Sequence, residues 1–323
     1  MTVRWGILGC GDVARRRVAG AIADDPDSRL LAACRRNGTA LEQFCSDFGV
    51  DRGYTDEADL VGDADIDAVY IATPVNRHLD QTLACAAVGK HVLCEKPMAM
   101  SVEECDRMIA ACETAGVRLG LAYYRRFYPV VDRIRDLVSE GRIGTVFSIT
   151  AVTATPFTFT PGDDGYWRVV LEEGGGGALM DIGSHRLNLF LDLFGPIADV
   201  RGFCSTRAGD FAADDAALLT VRFESGVLGT LQCYFGVPVD PDEFVVVGTE
   251  GRLVATPLNS GHLVIETAGG VETESHPPSE NFNLPLITDF VDAIRTGRAP
   301  RVDGHEGRST NEVIERGYRF GQA

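Results

Sequence analysis

The stretch Val3-Arg4-Trp5-Gly6-Ile7-Leu8-Gly9-Cys10-Gly11-Asp12-Val13-Ala14 decides the fold. Its apolar start reads as a buried strand, and Gly9, Gly11 and Ala14 spell GxGxxA where that strand gives way to a helix. In a dinucleotide-binding turn the first glycine makes the bend, the second admits a pyrophosphate, and the small third residue lets helix and strand pack closely. Asp12 and Val13 fall inside the same turn and join the expected cofactor-binding set. The competing reading is a glycine turn that serves structure alone.

Outward from this turn, apolar runs alternate with helical patterns through residue 122. Strands are expected at Val3 to Gly9, Leu30 to Cys34, Ala68 to Thr73, His91 to Glu95 and Val117 to Ala122. Capping boxes at Thr39 to Glu42 and Ser101 to Glu104 mark two of the intervening helices. Such alternation predicts an α/β fold, a doubly wound parallel sheet of Rossmann type, because parallel neighbours need long right-handed crossovers.

After residue 122 the rhythm changes. A helix is expected from Tyr128-Pro129 to Glu140, then mostly strands with short turns, interrupted by a helix over 178–194 and closed by helices over 284–295 and 306–320. Residues 1–122 are therefore expected to form a dinucleotide-binding domain. Residues 123–323 are expected to form an α+β domain with a largely antiparallel open sheet, its last helix able to pack back on the first domain.

The chain has 323 residues, enough for two domains, with 45% hydrophobic and 24% charged residues. Its formal net charge of -17 disfavours nucleic acid and anionic lipid as partners. No apolar run is long enough to span a membrane, and the N-terminus lacks the core of a signal peptide. Nine cysteines without CxxC or zinc-type spacing read as buried hydrophobes in a reducing compartment, so a cytoplasmic protein without a metal is expected.

Several segments carry candidate chemistry. At the end of the second strand, where an acidic residue usually meets the ribose 2'-hydroxyl of NAD, stand Arg35 and Arg36, which suit a 2'-phosphate and favour NADP, with NAD possible. Two solvated loop arginines are the alternative. Thr73, Pro74, Asn76 and His78 leave the next strand at its ligand-binding end, and Glu95-Lys96-Pro97 follows the one after. Lys96 there can donate or accept a proton. In Gly174-Gly175-Gly176-Gly177-Ala178-Leu179-Met180-Asp181-Ile182-Gly183-Ser184-His185, Asp181 and His185 stand i and i+4 and share a helix face. Four glycines cost backbone entropy, so something is expected to approach them closely.

Taken together, GILGCGDVA, AVYIATPVNRH, HVLCEKPMAMS and GGGALMDIGSH resemble the Gfo/Idh/MocA family over essentially the whole chain. The resemblance implies a Rossmann domain, an open sheet that forms a homodimer or homotetramer interface, and an NAD(P)-dependent oxidoreductase acting on sugars, cyclitols or related diols. It makes Lys96, Asp181 and His185 the catalytic and substrate-binding set. Tyr123-Tyr124-Arg125-Arg126 and Tyr166-Trp167-Arg168 resemble segments of the family's sugar-ketone reductases and sugar dehydrogenases. They add Tyr124 to the substrate set and Arg125, Trp167 and Arg168 to the cofactor set, beside Glu95 and Lys96. Domain packing is the alternative for the tyrosines. Two other readings remain: a glycoside hydrolase with a recycled NAD and transient redox, and a non-catalytic NADP-binding sensor.

Overall fold

Helices on both faces of a sheet leave its central strands no contact with water, and the strands of the first unit are apolar accordingly. These are β1 (Val3–Leu8), β2 (Ser28–Cys34), β3 (Arg52–Tyr54), β4 (Ala68–Ile71), β5 (His91–Cys94) and β6 (Leu119–Leu121). They lie in the order β3-β2-β1-β4-β5-β6, every neighbour parallel. The computed structural model describes residues 2–321. By contact the first unit runs to Tyr124 and also takes in Glu280–Arg308, and the second runs from Arg125 to Ser279 and resumes at Ser309. Within the first unit, helix Leu284–Thr296 sets Phe290 with its ring centroid 5.7 Å from that of Trp5 on β1.

The expected parallel sheet is present, with one strand more than the apolar runs indicated. That strand, β3, has only three residues, Arg-Gly-Tyr, and none is fully buried, so no hydrophobic run announces it. Helix Val102–Ala115 starts as expected, with Ser101 Oγ accepting from the Glu104 amide at 3.2 Å. Helix Gly38–Phe48 starts two residues before the expected box. Asn37 is its cap, Oδ1 accepting from the Ala40 amide at 3.0 Å, because β2 has already ended at Cys34 and asparagine caps at least as well as threonine.

The second unit holds an eight-stranded sheet: β7 (Val146–Thr155), β8 (Ile197–Ser205), β9 (Ala216–Phe223), β10 (Leu228–Phe235), β11 (Glu243–Gly248), β12 (Gly251–Ala255), β13 (His262–Thr267) and β14 (Gly270–Ser275). The order is β14-β13-β12-β11-β7-β10-β9-β8, and only β7 and β10 pair in parallel. β14 carries a single apolar residue, Val271, so the sequence pattern does not reveal it; hairpin pairing to β13 makes it a strand. Along β9 and β10 burial alternates strictly, which leaves one face inside and the other out. Phe203 and Leu218, register partners on the outward face, are 70% and 43% exposed. No helix among the described residues is long and apolar enough to cross a membrane.

The two helix starts make a direct comparison. Asn37→Ala should destabilise the protein by about 0.5–2 kcal/mol in urea unfolding, whereas Thr39→Ala should change it by a few tenths at most. Equal losses would return the cap to Thr39.

Candidate active site

In the first unit every strand of the parallel sheet ends at the same edge, and the strand order reverses between β1 and β4. Gly9 turns there with φ +87°, and a Cβ on it would lie 2.7 Å from the Ala72 carbonyl oxygen. The fold itself therefore requires this glycine. Gly11 is different: its amide bonds back to Gly9, and a Cβ there would meet nothing within 4 Å. It is a cradle that a side chain would fill, at the head of a helix over 12–24 with Ala14 buried against the strand. Backbone amides and the helix dipole at such a point suit a pyrophosphate. Val13 is half-buried, and exposed Asp12 pairs with Arg16 one turn on.

Arg35 reaches this loop. Its guanidinium donates to the Cys10 carbonyl at 3.2 Å, while Arg36 is exposed beyond it and Asn37 is engaged as a cap. One arginine of the expected pair is thus built into the glycine turn. Thr73 donates to Gln81 at 2.6 Å, Pro74 is half-buried and Asn76 stands exposed on the 3-10 turn Val75–Arg77.

His78, expected in the cofactor set, has its ring engaged on three backbone carbonyls. It is 1% exposed, with Nε2 3.0 Å from the Thr73 carbonyl and Nδ1 3.1 and 3.2 Å from those of Pro97 and Met98. Burial, aided by the charge of Lys96, holds it below the ordinary imidazole range against the pull of those carbonyls. It is a neutral strut joining the Thr73 loop to the Lys96 turn.

Lys96 and Lys90 are the only lysines in a chain with 30 basic residues. Lys90 is buried, its Nζ donating to the carbonyls of Asp63 and Ile66 at 2.7 and 2.9 Å. Arginine, which fills the other basic positions, does not give up its proton under ordinary conditions and lysine does. Composition alone could have drawn this distinction. Both carboxylate oxygens of Glu95 are held within the first unit, Oε1 by the Tyr70 hydroxyl at 2.8 Å and Oε2 by the Lys96 amide at 3.2 Å.

In the second unit Asp181 and His185 share one helix, as expected, but its first turn is π-helical. Leu179–Gly183 is the π segment and Ser184–Phe194 the α-helix. A π turn bonds i to i+5, so residues four apart remain neighbours, and such turns are frequent at functional sites. Arg168, expected at the cofactor, instead pairs with Asp181, Nε to Oδ2 3.5 Å, its guanidinium 4.6 Å from the Trp167 ring centroid. Arg125, expected there too, donates to Asn259 at 3.2 Å. Tyr124, expected to touch substrate, is 7% exposed and belongs to the first unit's packing, stacked on Phe282 with Arg17 5.1 Å above its ring.

The glycine run admits this chain's own atoms. A Cβ on Gly177 would overlap the Asp214 carbonyl oxygen, one on Gly176 the Tyr318 hydroxyl, and one on Gly174 would sit 2.8 Å from the Trp167 carbonyl. Asp214 caps the helix that carries Asp181, accepting from the Gly177 and Leu179 amides at 2.8 and 2.9 Å and from Tyr318 at 2.7 Å. Burial still raises its pKa, against those three donors. Further along, the Arg186–Asp242 ion pair and Asp192 with Arg126 at 2.7 Å, joined by Arg135, fix the same helix from inside. Sequence reading missed Tyr70, Asp214 and Asp242, because each acts through partners distant in the chain. No group of three or more potential metal ligands occurs among the described residues.

Comparison with known proteins fits this arrangement. The model of an oxidoreductase family with an NAD-binding Rossmann fold matches residues 3–123, and that of the GFO/IDH/MocA C-terminal domain matches residues 131–254. The 1,5-anhydro-D-fructose reductase of Ensifer adhaerens is 32% identical over 99% of this chain and 97% of its own length. The D-xylose 1-dehydrogenase (NADP(+)) 2 of Haloferax volcanii is 29% identical over 97% and 96%. Among solved structures, the aldose-aldose oxidoreductase of Caulobacter crescentus, complexed with glycerol, covers 100% of this chain and 98% of its own, with TM-score 0.89 and 31% identity.

The glycines separate two demands. Gly177→Ala should lower stability by more than about 2 kcal/mol, since backbone must move, whereas Gly11→Ala should fold normally and weaken NADPH and NADH in calorimetric titration. Normal cofactor affinity in Gly11→Ala would refute the cradle.

Proposed function

The chain belongs to the GFO/IDH/MocA oxidoreductase family, with that family's NAD-binding Rossmann domain, and from this premise we propose the following reaction and assignment of roles. The protein is a nicotinamide-dependent dehydrogenase or reductase. Its substrate is a secondary alcohol or ketone of a sugar, cyclitol or related diol, the class to which the named relatives' substrates belong. The nicotinamide supplies the hydride chemistry when bound. Gly11 and the first helix hold its pyrophosphate, and Thr73, Pro74 and Asn76 border it.

Lys96 moves the proton. In reduction its ammonium gives a proton to the developing alkoxide, and in oxidation its amine takes one from the hydroxyl. Asp181 and His185 orient the reacting hydroxyl or carbonyl, with Arg168 holding the carboxylate of Asp181. The observation that carries this reading is the lysine after β5, at the carboxyl edge of the sheet, in a chain whose only other lysine is locked onto carbonyls.

The preferred cofactor is NADP. Arg35 beside the glycine loop and the lack of an acidic residue among Cys34-Arg35-Arg36-Asn37 support it. The assembly is a homodimer or homotetramer through the outward face of the eight-stranded sheet, supported by the exposure of Phe203, Leu218 and Leu228. The setting is the cytoplasm, and the net charge of -17 favours small molecules over nucleic acid or membrane as partners.

Two measurements test these assignments. A panel of sugars, ketosugars and inositols, followed by nicotinamide absorbance, identifies a substrate. On it Lys96→Arg, which keeps the charge and loses the exchangeable proton, should lower turnover by about 100-fold or more at unchanged cofactor affinity. Near-normal turnover would remove Lys96 from proton transfer. For cofactor choice, a charge-assisted hydrogen bond is worth about 1.5–3 kcal/mol, roughly 10- to 150-fold in affinity. Arg35→Asp should therefore weaken NADPH at least about tenfold and NADH less. Equal affinities in the wild type, unmoved by the substitution, would overturn the preference.

A further inference from the structure

Tyr70 lies on β4 with 0% exposure and takes no part in the reaction described above. Its hydroxyl has one proton, and the Glu95 carboxylate accepts it at 2.8 Å. The amide of Asn283, 3.3 Å from the same oxygen, must then be the donor, as its Nδ2 is placed. The chain of donation runs Asn283 to Tyr70 to Glu95, whose second oxygen accepts from the backbone amide of Lys96. Burial, and next the charge of Glu95, push the Tyr70 phenol well above its ordinary pKa, so it stays a donor at every working pH.

Asn283 stands just ahead of helix Leu284–Thr296 and is 1% exposed. The Asn281 side chain fixes it from both sides of the turn, Oδ1 accepting from the Asn283 amide at 3.0 Å and Nδ2 donating to the Arg17 carbonyl at 2.9 Å. The Oδ1 of Asn283 is buried without a hydrogen-bond partner. A buried acceptor left so costs about 1–3 kcal/mol, a cost that an apolar residue of the same shape would avoid. What the asparagine supplies here is its donor to Tyr70.

From this geometry we infer that Tyr70 is a positioning residue for proton transfer: through Glu95 it fixes the turn that carries Lys96. The inference rests on the reading of Lys96 as the proton-transfer group. A turn released from these bonds opens locally more often, so its lysine meets a reagent in solution more readily.

The test uses Tyr70→Phe, Glu95→Gln, the double variant and Asn283→Ala. In the unliganded protein, the rate of acetylation of Lys96 by acetic anhydride at one fixed pH is followed by peptide mass spectrometry, with buried Lys90 as the internal reference. Tyr70→Phe should raise the Lys96 labelling rate, towards that of Glu95→Gln, and should add nothing in the Glu95→Gln background. Asn283→Ala should shift it in the same direction by less, which keeps the question open to refutation should the tyrosine variant fold poorly. With a substrate in hand, Tyr70→Phe should lower kcat by about tenfold or more at unchanged cofactor affinity. Additive effects of Tyr70→Phe and Glu95→Gln, or labelling rates identical to wild type, would overturn the relay. Near-normal turnover of Lys96→Arg would instead overturn the reading of Lys96, while the labelling arm would still judge the relay.

Discussion

In a parallel sheet every strand ends at the same edge, and this constraint governs the first unit. It gathers the Gly9 turn, Arg35, the Thr73 loop and Glu95-Lys96 from positions spread over some ninety residues of sequence. Reversal of strand order between β1 and β4 parts their helices to opposite faces, while the turns that follow stay close enough that Gly9 tolerates no Cβ against Ala72. His78 then bonds the loop after β4 to the loop after β5, and Tyr70 bonds β4 to Glu95. Loops that a sheet edge merely brings near one another become one rigid surface through these side chains.

The second unit meets an analogous demand by other means. Asp181 and His185 sit on a helix that starts with a π turn, and a helix start leaves amides without partners. Asp214 supplies the acceptors from a strand-flanking loop, and the glycines ahead of Asp181 let its backbone come close enough to do so. Buried charge is expensive unless paired, and the buried arginines here are paired, Arg186 with Asp242 and Arg126 with Asp192. Their contribution is less to net stability than to holding one helix in one orientation.

Much of this was legible in the chain. Strands announced by apolar runs and helices announced by period and cap appear within a few residues of their expected bounds, and Ser101 caps as its motif indicates. What the linear reading did not show has one kind of cause. β3 and β14 carry too few apolar residues to signal themselves and owe their existence to a neighbouring strand. Tyr124, Arg125 and Arg168 have the residue types of ligand contacts, yet Phe282, Asn259 and Asp181 engage them. Type and spacing could not choose between those partners and a ligand.

What the sequence determined by itself is therefore what local rules carry: a dinucleotide-binding first domain and a sheet-rich second one, with Lys96, Asp181 and His185 marked as candidates by their motifs. Periodicity, turn chemistry and capping act within a few residues, so a linear reading captures them. Only the tertiary structure decided why each glycine is a glycine, which arginine faces the cofactor loop, and what supports the catalytic groups. Tyr70 meets Glu95 across 25 positions, Tyr318 meets Asp214 across 104 and Asn283 meets Tyr70 across 213. Contacts at such separations leave no local trace, because folding brings the partners together through the sheet and the core.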